Sequence, residues 1–222
     1  MADIKAVLFD LDGTLINSRI DFRQMKDALI KYLEAAGVKL GLLSNAMLNY
    51  EIMEKSTKYL QQKGYSKDRI REILGQASKI MDQFELESLE EVSLIEGVSE
   101  TLEALKNKRL KLGIMTRSCR EYTEKVLSKF GLLKYFDAIV ARDDIEKPKP
   151  NAEHALHLLS LLGVSAHEAI CIGDHWSDAE CAQRAGVKFI IIGRRGDEYF
   201  KHSDCKSIEK LEDVIKLLGH RN

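Results

Sequence analysis

The stretch Ala6-Val7-Leu8-Phe9-Asp10-Leu11-Asp12-Gly13-Thr14-Leu15 runs from an apolar segment of strand type into two carboxylates and a glycine. Side chains two residues apart on a strand share a face, so Asp10 and Asp12 converge where the strand ends. Gly13 allows the chain to turn sharply directly afterwards. Two like charges this close raise each other's pKa, and a hard divalent cation between them removes that cost. The stretch therefore predicts a strand that ends in an acidic cation site; the alternative is a solvated, Asp-rich turn.

The composition is that of an ordinary globular protein and excludes several classes of function. Of 222 residues, 45% are hydrophobic and 31% are charged, and the net charge is −1. No basic run favours a nucleic-acid partner or an anionic membrane surface, and no apolar stretch approaches the roughly 18 residues of a membrane span. Met1 to Lys5 leads directly into the first strand, so no signal peptide is expected. The four cysteines form neither a CxxC pair nor a zinc-like spacing, which predicts a reduced cytoplasmic protein without disulfides. We expect a monomer or a homodimer.

The order of apolar runs predicts an α/β fold, a doubly wound parallel sheet of Rossmann type with five core strands. The predicted strands are residues 4–9, 110–115, 136–140, 169–172 and 187–192. Ser118 with Glu121, and Ser177 with Glu180, have capping-box spacing, which predicts helices that begin at the two serines. A last helix is predicted at residues 207–218.

A block of helices interrupts this alternation after the first strand. Periodic apolar positions predict three helices in the block, the second of which begins near Ser44, and no strand pattern occurs within it. We therefore expect an α/β core of residues 1–16 and 96–222. The all-helical insert of residues 17–95 departs from the tip of the first strand, so we expect it to form a cap over the carboxyl edge of the sheet.

Polar side chains that suit phosphoryl transfer follow the predicted strands at their carboxyl ends, where ligands of such sheets bind. They are Asp10, Asp12, Thr116, Arg117, Lys147, Asp174 and Asp178. We expect Asp10 to attack phosphorus, and Asp12 to protonate the leaving oxygen and later deprotonate water. Thr116 and the backbone N–H of Arg117 are expected to bind the phosphoryl group beside a helix start. Lys147 supplies positive charge from a loop that two prolines stiffen, and the carboxylates suit Mg²⁺.

These motifs resemble those of the haloacid dehalogenase-like hydrolase superfamily. The matching segments occur in the family's order, namely residues 10–14, Thr116 after an apolar strand, residues 147–150 and residues 173–178. The helical insert resembles the cap of the phosphoglycolate phosphatase and beta-phosphoglucomutase branch. The resemblance implies Asp10 as nucleophile and Asp12 as acid and base. It also implies Mg²⁺ bound by Asp10, the Asp12 backbone carbonyl and Asp174, with Asp178 supporting the ion directly or through water.

The resulting prediction is a magnesium-dependent phosphatase that hydrolyses a small phosphorylated metabolite, phosphoglycolate phosphatase-like, through an aspartyl-phosphate. Asp12 argues against dehalogenase chemistry, because dehalogenases of the superfamily lack the second aspartate. A phosphosugar mutase of the same branch would share Asp10 and Asp12, and no motif in the insert separates the two activities. A phosphorylation-controlled signalling module also combines acidic residues with a Thr or Ser and a Lys, although the insert speaks against it. A binding protein on a retired enzyme scaffold is disfavoured because no expected catalytic residue is missing.

Two further pairs of residues lie close to the motifs. His154 and His157, three residues apart, are expected on the surface of a helix, because no third metal ligand lies nearby. His175 and Trp176 lie inside the last motif. For them the sequence leaves two options open, lining the pocket or packing beneath it.

Overall fold

The computed structural model describes residues 3–193 and 205–219 of the chain. The chain divides into two compact units, one made of Met1–Ser18 and Glu91–Asn222 and the other of Arg19–Glu90. The first unit contains the strands, and the second is helical. Among the described residues, none of the helices combines the length and the apolar character that crossing a membrane requires.

The strands of the first unit form a large sheet and a small one. They are β1 (Ala6–Phe9), β2 (Ile16–Asn17), β3 (Ser93–Leu94), β4 (Lys111–Met115), β5 (Ala138–Val140), β6 (Ala169–Gly173), β7 (Lys188–Ile192) and β8 (Lys206–Ile208). The large sheet has the order β5-β4-β1-β6-β7-β8, and every neighbouring pair in it is parallel. All four residues of the central strand β1 are buried, as a strand covered on both faces must be. The predicted doubly wound parallel sheet is confirmed.

Helices accompany the strands and also form the second unit. They are α1 (Phe22–Ala35), α2 (Asn49–Gln62), α3 (Lys67–Glu87), α4 (Val98–Asn107), α5 (Arg120–Lys129), α6 (Ala152–Leu162), α7 (Trp176–Arg184) and α8 (Asp213–Leu217). Helices α1 to α3 make up the helical unit, and α4 to α8 belong to the first unit. Helix α6 packs on β4, β5 and α7, and so brings its N-terminus to the carboxyl edge of the sheet.

The sixth strand of the large sheet was not expected. Strand β8 occupies a position where a helix was predicted to begin at Ser207, and the observed helix α8 is confined to five residues further on. Ile208, Leu211 and Val214 are all buried and recur every three residues, which imitates a helical face. Pairing of β8 with the edge of β7 overrides that local pattern.

The small sheet also differs from expectation, because no strand was predicted between residues 16 and 95. Strands β2 and β3 pair antiparallel, with Ile16 opposite Leu94 and Asn17 opposite Ser93. Each strand has only two residues, which is too short for an alternating pattern to be visible in the sequence. Their partners are far apart along the chain, so the pairing is a tertiary effect.

The helical unit is held together by apolar faces that pack against α3. Helix α1 buries Met25, Leu29 and Leu33, and it contacts α3. Ser66 caps α3 by accepting a hydrogen bond from the Arg69 N–H at 3.2 Å. Helix α2 begins at Asn49 and not near Ser44, because the intervening residues form turns.

Two glycines of the helical unit allow a matched test of backbone effects. Gly75 lies inside α3 and Gly64 follows α2 with φ +81°, and neither has an atom within 4 Å of where a Cβ would lie. Gly75→Ala should raise the free energy of unfolding by about 1 kcal/mol, because alanine is the better helix former. Gly64→Ala should lower it by about 1–2 kcal/mol, because alanine disfavours the left-handed region. Urea denaturation measures both changes, and shifts of the same sign would contradict the argument.

Candidate active site

Asp10 stands at the carboxyl end of the central strand of the large sheet. Its backbone N–H donates to the Ile172 carbonyl at 3.0 Å, which continues the pairing of β1 with β6. Only 7% of the residue is exposed. Because β1 and β6 are neighbours, Asp174, which directly follows β6, lies beside Asp10.

The cation beside Asp10 is Lys149. Its ammonium donates to Asp10 Oδ1 at 2.5 Å and lies 2.6 Å from Asp178 Oδ1. Burial alone would lower the pKa of Lys149, but the carboxylates of Asp10 and Asp178 outweigh burial and raise that pKa above its ordinary value. Lys149 is therefore a permanently charged group in a buried position, 1% exposed.

Lys147, to which the sequence assigned this position, is exposed in the same loop. Residues 147–150 contain the Lys-Pro pair twice, and the sequence interpretation took the first pair. Asn151 caps α6 by accepting a hydrogen bond from the Glu153 N–H at 3.1 Å, which anchors the second pair where α6 meets the sheet. The Asn151 cap of α6 could have distinguished the two lysines in the sequence, because Lys149 is two residues from the cap and Lys147 is four residues from it.

Three carboxylates converge on the space beside Lys149. Oxygens of Asp10, Asp174 and Asp178 lie within 4.8 Å of one another, and all three residues are buried. Asp178 Oδ1 is buried, and the Lys149 ammonium is the charged group that lies 2.6 Å from it. A cluster of three buried carboxylates with a single ammonium beside it fits a hard divalent cation such as Mg²⁺.

The charge balance of this cluster is negative. Burial raises the pKa of Asp10 to about 8; Lys149 opposes the rise, and the carboxylates of Asp178, Asp174 and Asp12 add to it. One ammonium cannot neutralise four carboxylates, so a proton or a further cation is favoured at the cluster.

Two glycines, which have no side chains, make room for the carboxylates of the site. A Cβ at Gly13 would overlap the Asp174 carboxyl group, and a Cβ at Gly173 would lie 2.6 Å from Asp178 Oδ2. Gly13 also has φ +89°, in the left-handed region that side chains disfavour. The turn after Asp12 therefore requires glycine for its backbone and for the close approach of Asp174.

The Asp12 side chain is bound by two hydroxyl groups of the segment that leads into α5. Ser118 Oγ donates to Asp12 Oδ2 at 2.8 Å, and the Tyr122 hydroxyl lies 3.4 Å from Asp12 Oδ1. Ser118 is consequently not the cap of α5, as had been expected; Cys119 is, and it accepts from the Tyr122 N–H at 3.5 Å. Tyr122 is buried, and the sequence analysis assigned it no part in the site. A buried tyrosine hydroxyl requires a polar partner, which was the missed signal.

Thr116 and Arg117 form the loop at the end of β4. The Thr116 N–H donates to the Val140 carbonyl at 3.0 Å, and its Oγ1 accepts from the Ser118 N–H at 3.1 Å. The Thr116 hydroxyl hydrogen is thus free for a further acceptor. Arg117 is partly buried, and its guanidinium has no hydrogen bond or ion pair within the described part of the chain.

His154 lies in the core and not on the surface, contrary to the expectation from sequence, while His157 is exposed as expected. The Lys149 N–H donates to His154 Nδ1 at 3.2 Å, and Nε2 lies 3.0 Å from the Val140 carbonyl. Burial and the charge of Lys149 lower the pKa of His154 to about 3, so the imidazole is neutral. The face of α6 that bears His154 packs on the sheet, which explains its burial.

His175 caps α7 through its ring and its backbone. The Ser177 N–H donates to His175 Nδ1 at 3.2 Å, and the His175 N–H donates to Asp178 Oδ2 at 3.1 Å. Helix α7 begins at Trp176, so the predicted start at Ser177, with Glu180 as its capping partner, is replaced by this arrangement. The cap fixes Oδ2 of Asp178 and leaves Oδ1 for the acidic cluster.

Known proteins share this chain's motifs and fold. Residues 7–192 match the profile of haloacid dehalogenase-like hydrolases. The pyrophosphatase PpaX of Halalkalibacterium halodurans is 30% identical, and the match covers 98% of each chain. The phosphoglycolate phosphatase of Aquifex aeolicus is 32% identical over 98% of each chain. A solved HAD-superfamily hydrolase of subfamily IA, variant 1, from Geobacter sulfurreducens is 26% identical, with a TM-score of 0.60 over 97% of each chain.

The two lysines of the loop should differ sharply in their effect on stability. Lys149→Met leaves buried carboxylates without their counter-charge, so it should lower the free energy of unfolding of the metal-free protein by about 3–5 kcal/mol. Lys147→Met removes only an exposed charge and should change stability by less than about 0.5 kcal/mol. Urea denaturation in EDTA measures both free energies of unfolding. Equal losses of stability in the two variants would contradict the buried ion pair of Lys149.

His154 should make stability fall in acid. Its pKa is about 3 in the folded protein, against the ordinary 6.5, so below pH 6.5 the unfolded chain binds the extra proton. The contribution is fully present above pH 6.5 and is lost at about 1.4 kcal/mol per pH unit as the pH falls toward 3. The wild type should therefore lose stability relative to His154→Leu between pH 7 and pH 5, while His157→Leu should follow the wild type. Parallel profiles for wild type and His154→Leu would contradict the assignment.

Proposed function

Since the chain belongs to the haloacid dehalogenase-like hydrolase family, we propose that it is a phosphatase that hydrolyses a small phosphorylated metabolite with Mg²⁺ and through an aspartyl-phosphate. The observation that carries this proposal is the buried pair of Asp10 and Lys149 within a cluster of carboxylates. The alternative of a solvated, Asp-rich turn does not fit, because the aspartates of such a turn would be exposed to water, whereas Asp10 is buried and paired with Lys149.

The proposed first step transfers the phosphoryl group to the protein. An Asp10 oxygen attacks phosphorus, the bond from phosphorus to the leaving oxygen breaks, and Asp12 gives its proton to that oxygen. In the second step Asp12 takes a proton from water, the water oxygen attacks phosphorus, and the bond to Asp10 breaks to release inorganic phosphate. Lys149 holds Asp10 in place and favours its ionised form against the burial that raises its pKa.

Asp10, Asp174 and the Asp12 backbone carbonyl would hold Mg²⁺, with Asp178 directly or through water. When bound, the ion supplies positive charge against the four carboxylates and the phosphoryl oxygens. The charge balance of the site supports this assignment, because burial and three neighbouring carboxylates favour added positive charge at Asp10.

Thr116 and Arg117 are suited to bind the phosphoryl group itself. The Thr116 hydroxyl has a hydrogen to donate, and Arg117 can offer its backbone N–H at the end of β4. The Arg117 guanidinium opposes the rise in the pKa of Lys149, so its charge acts within the site. The Arg117 guanidinium has no carboxylate partner among the described residues, so it favours an anionic substrate. Lys149 takes the part that the sequence gave to Lys147.

The names of two relatives suggest two candidate substrates for this chain. Phosphoglycolate and inorganic pyrophosphate are the substrates indicated by the names of the Aquifex and Halalkalibacterium proteins. Both compounds carry a second anionic group close to the reacting phosphoryl group. We propose phosphoglycolate or a similar small anionic ester first and pyrophosphate second. The balanced charge supports a protein that binds neither nucleic acid nor membranes, and the free cysteines support a cytoplasmic location. We propose a monomer or a homodimer.

Two rival functions make different predictions for the same residues. A phosphosugar mutase would return the phosphoryl group from Asp10 to a sugar and release little phosphate. A signalling module would keep a stable aspartyl-phosphate that controls the binding of a partner. Rapid and repeated phosphate release distinguishes the phosphatase from both.

Phosphate release from a panel of esters tests the proposal. The panel contains phosphoglycolate, pyrophosphate, sugar phosphates, nucleotides and p-nitrophenyl phosphate, each with Mg²⁺ and with EDTA. Wild type should release phosphate only with Mg²⁺, and Asp10→Asn should lower kcat by more than about a thousandfold, since it removes the nucleophile. Asp68→Asn, at an aspartate whose side chain is 89% exposed, is the matched control and should retain full activity.

Each outcome bears on a separate part of the proposal. Hydrolysis that Asp10→Asn leaves unchanged would remove Asp10 as nucleophile. Activity that EDTA does not affect would remove the metal. A lasting phosphorylated protein without turnover would favour the signalling module, and conversion of one sugar phosphate into its isomer would favour the mutase.

A further inference from the structure

His154 is a fully buried polar residue that the proposed reaction leaves without a part. It touches neither the carboxylate cluster nor Arg117 through a hydrogen bond. Its two ring nitrogens instead contact the backbone of two other elements, the loop before α6 and the end of β5. A buried polar group with two directed hydrogen bonds fixes the groups that it joins.

The loop that carries Lys149 has few ways to be held by its backbone. Lys149 lies between Pro148 and Pro150, which have no N–H, so the Lys149 N–H is the one backbone donor of these three residues. It is buried, and His154 Nδ1 accepts it at 3.2 Å. Without His154 the Lys149 N–H would lose its acceptor, and the segment from Pro148 to Pro150 would lose the one hydrogen bond that its backbone donates.

The tautomer of His154 follows from its partners. The Val140 carbonyl can only accept, so Nε2, at 3.0 Å from it, must carry the ring hydrogen. Nδ1 is then unprotonated and free to accept from Lys149. Protonation of the ring would place two donors face to face, and burial with the neighbouring charge of Lys149 keeps the ring neutral.

The Val140 carbonyl connects His154 to the phosphate-binding loop. It accepts from the Thr116 N–H at 3.0 Å as well as from the His154 ring. A carbonyl oxygen has two lone pairs, so both bonds can form together. His154 therefore links the Lys149 backbone to the Val140 carbonyl, which also binds the Thr116 N–H.

We propose that His154 is a positioning residue that fixes the Lys149 backbone against Val140 and so keeps the Lys149 ammonium on Asp10. The inference rests on the proposed function only for its effect on turnover, because the hydrogen bonds themselves can be measured without activity. A residue that merely fills the core would affect folding, but it would not change turnover by the folded protein.

The first arm of the test uses NMR on the metal-free protein. The ring nitrogens of His154 should show a neutral imidazole protonated at Nε2 from pH 5 to pH 8. The Lys149 amide proton should move upfield in His154→Leu and stay in place in His157→Leu, the matched change at an exposed histidine of α6. A charged ring, or a Lys149 amide that His154→Leu leaves unchanged, would overturn the proposal.

The second arm measures turnover with Mg²⁺ well below the unfolding temperature. His154→Leu should lower kcat by about tenfold to a hundredfold with KM changed less than about twofold, since a misplaced Lys149 costs positioning. His154→Asn keeps an acceptor at the place of Nδ1 and should recover most of the loss. His154→Gln keeps a donor at the place of Nε2 and should recover little. Equal recovery by both, or none by Asn, would contradict a role through Lys149.

A double variant separates the positioning role from simple loss of structure. In Lys149→Met, the further change His154→Leu should leave the residual kcat unchanged, because the group it positions is already absent. A second loss of the same size would show that His154 acts elsewhere and would overturn the proposal. If wild type hydrolyses no ester, the proposed function fails, while the ring tautomer and the Lys149 amide still decide whether His154 holds the lysine.

Discussion

The buried ion pair of Lys149 with Asp10 is the interaction on which the site depends. Removing two charges from water costs free energy, which is recovered only when the geometry is fixed from several sides. The sheet fixes Asp10 and Asp174, because β1 and β6 pair with Phe9 opposite Ile172 and both carboxylates follow at the same edge. The lysine has no strand to hold it and depends on its loop. The strength of the pair is therefore a property of the α6 N-terminus as much as of the sheet.

The site has two sides that differ in charge. Asp10, Asp174 and Asp178 form one side, which is suited to a cation. The loop of Thr116 and Arg117, at the end of β4, offers donors and positive charge and is suited to an anion. Asp10 and its partner Lys149 join the two sides. A phosphoryl group that brings negative oxygens, together with a divalent ion, would neutralise both at once, which is why this arrangement favours phosphoryl transfer over a structural role.

Much of this site could be predicted because its residues directly follow strands. Apolar runs identify the core strands, and parallel strands place their carboxyl ends on one edge of the sheet, so Asp10 and Asp174 were expected at the same edge. The choice between Lys147 and Lys149 depended on loop conformation, which a repeated Lys-Pro pair leaves ambiguous. The sixth strand depended on pairing with the edge of β7, and the two-residue strands depended on partners far along the chain. Neither kind of strand pairing can be recognised from the local pattern of apolar and polar residues.

The polar residues of the inner helix faces show where sequence reasoning could have gone further. His154 shares a face of α6 with Ala155, Leu158 and Leu162, all of which are buried. The same periodicity that assigns the leucines to the core assigns the histidine to it. A polar group in that position must find hydrogen bonds, and His154 finds them at the end of β5 and in the loop before α6. Burial by periodicity, followed by a search for partners, therefore leads from a histidine with no motif to the lysine at the centre of the site.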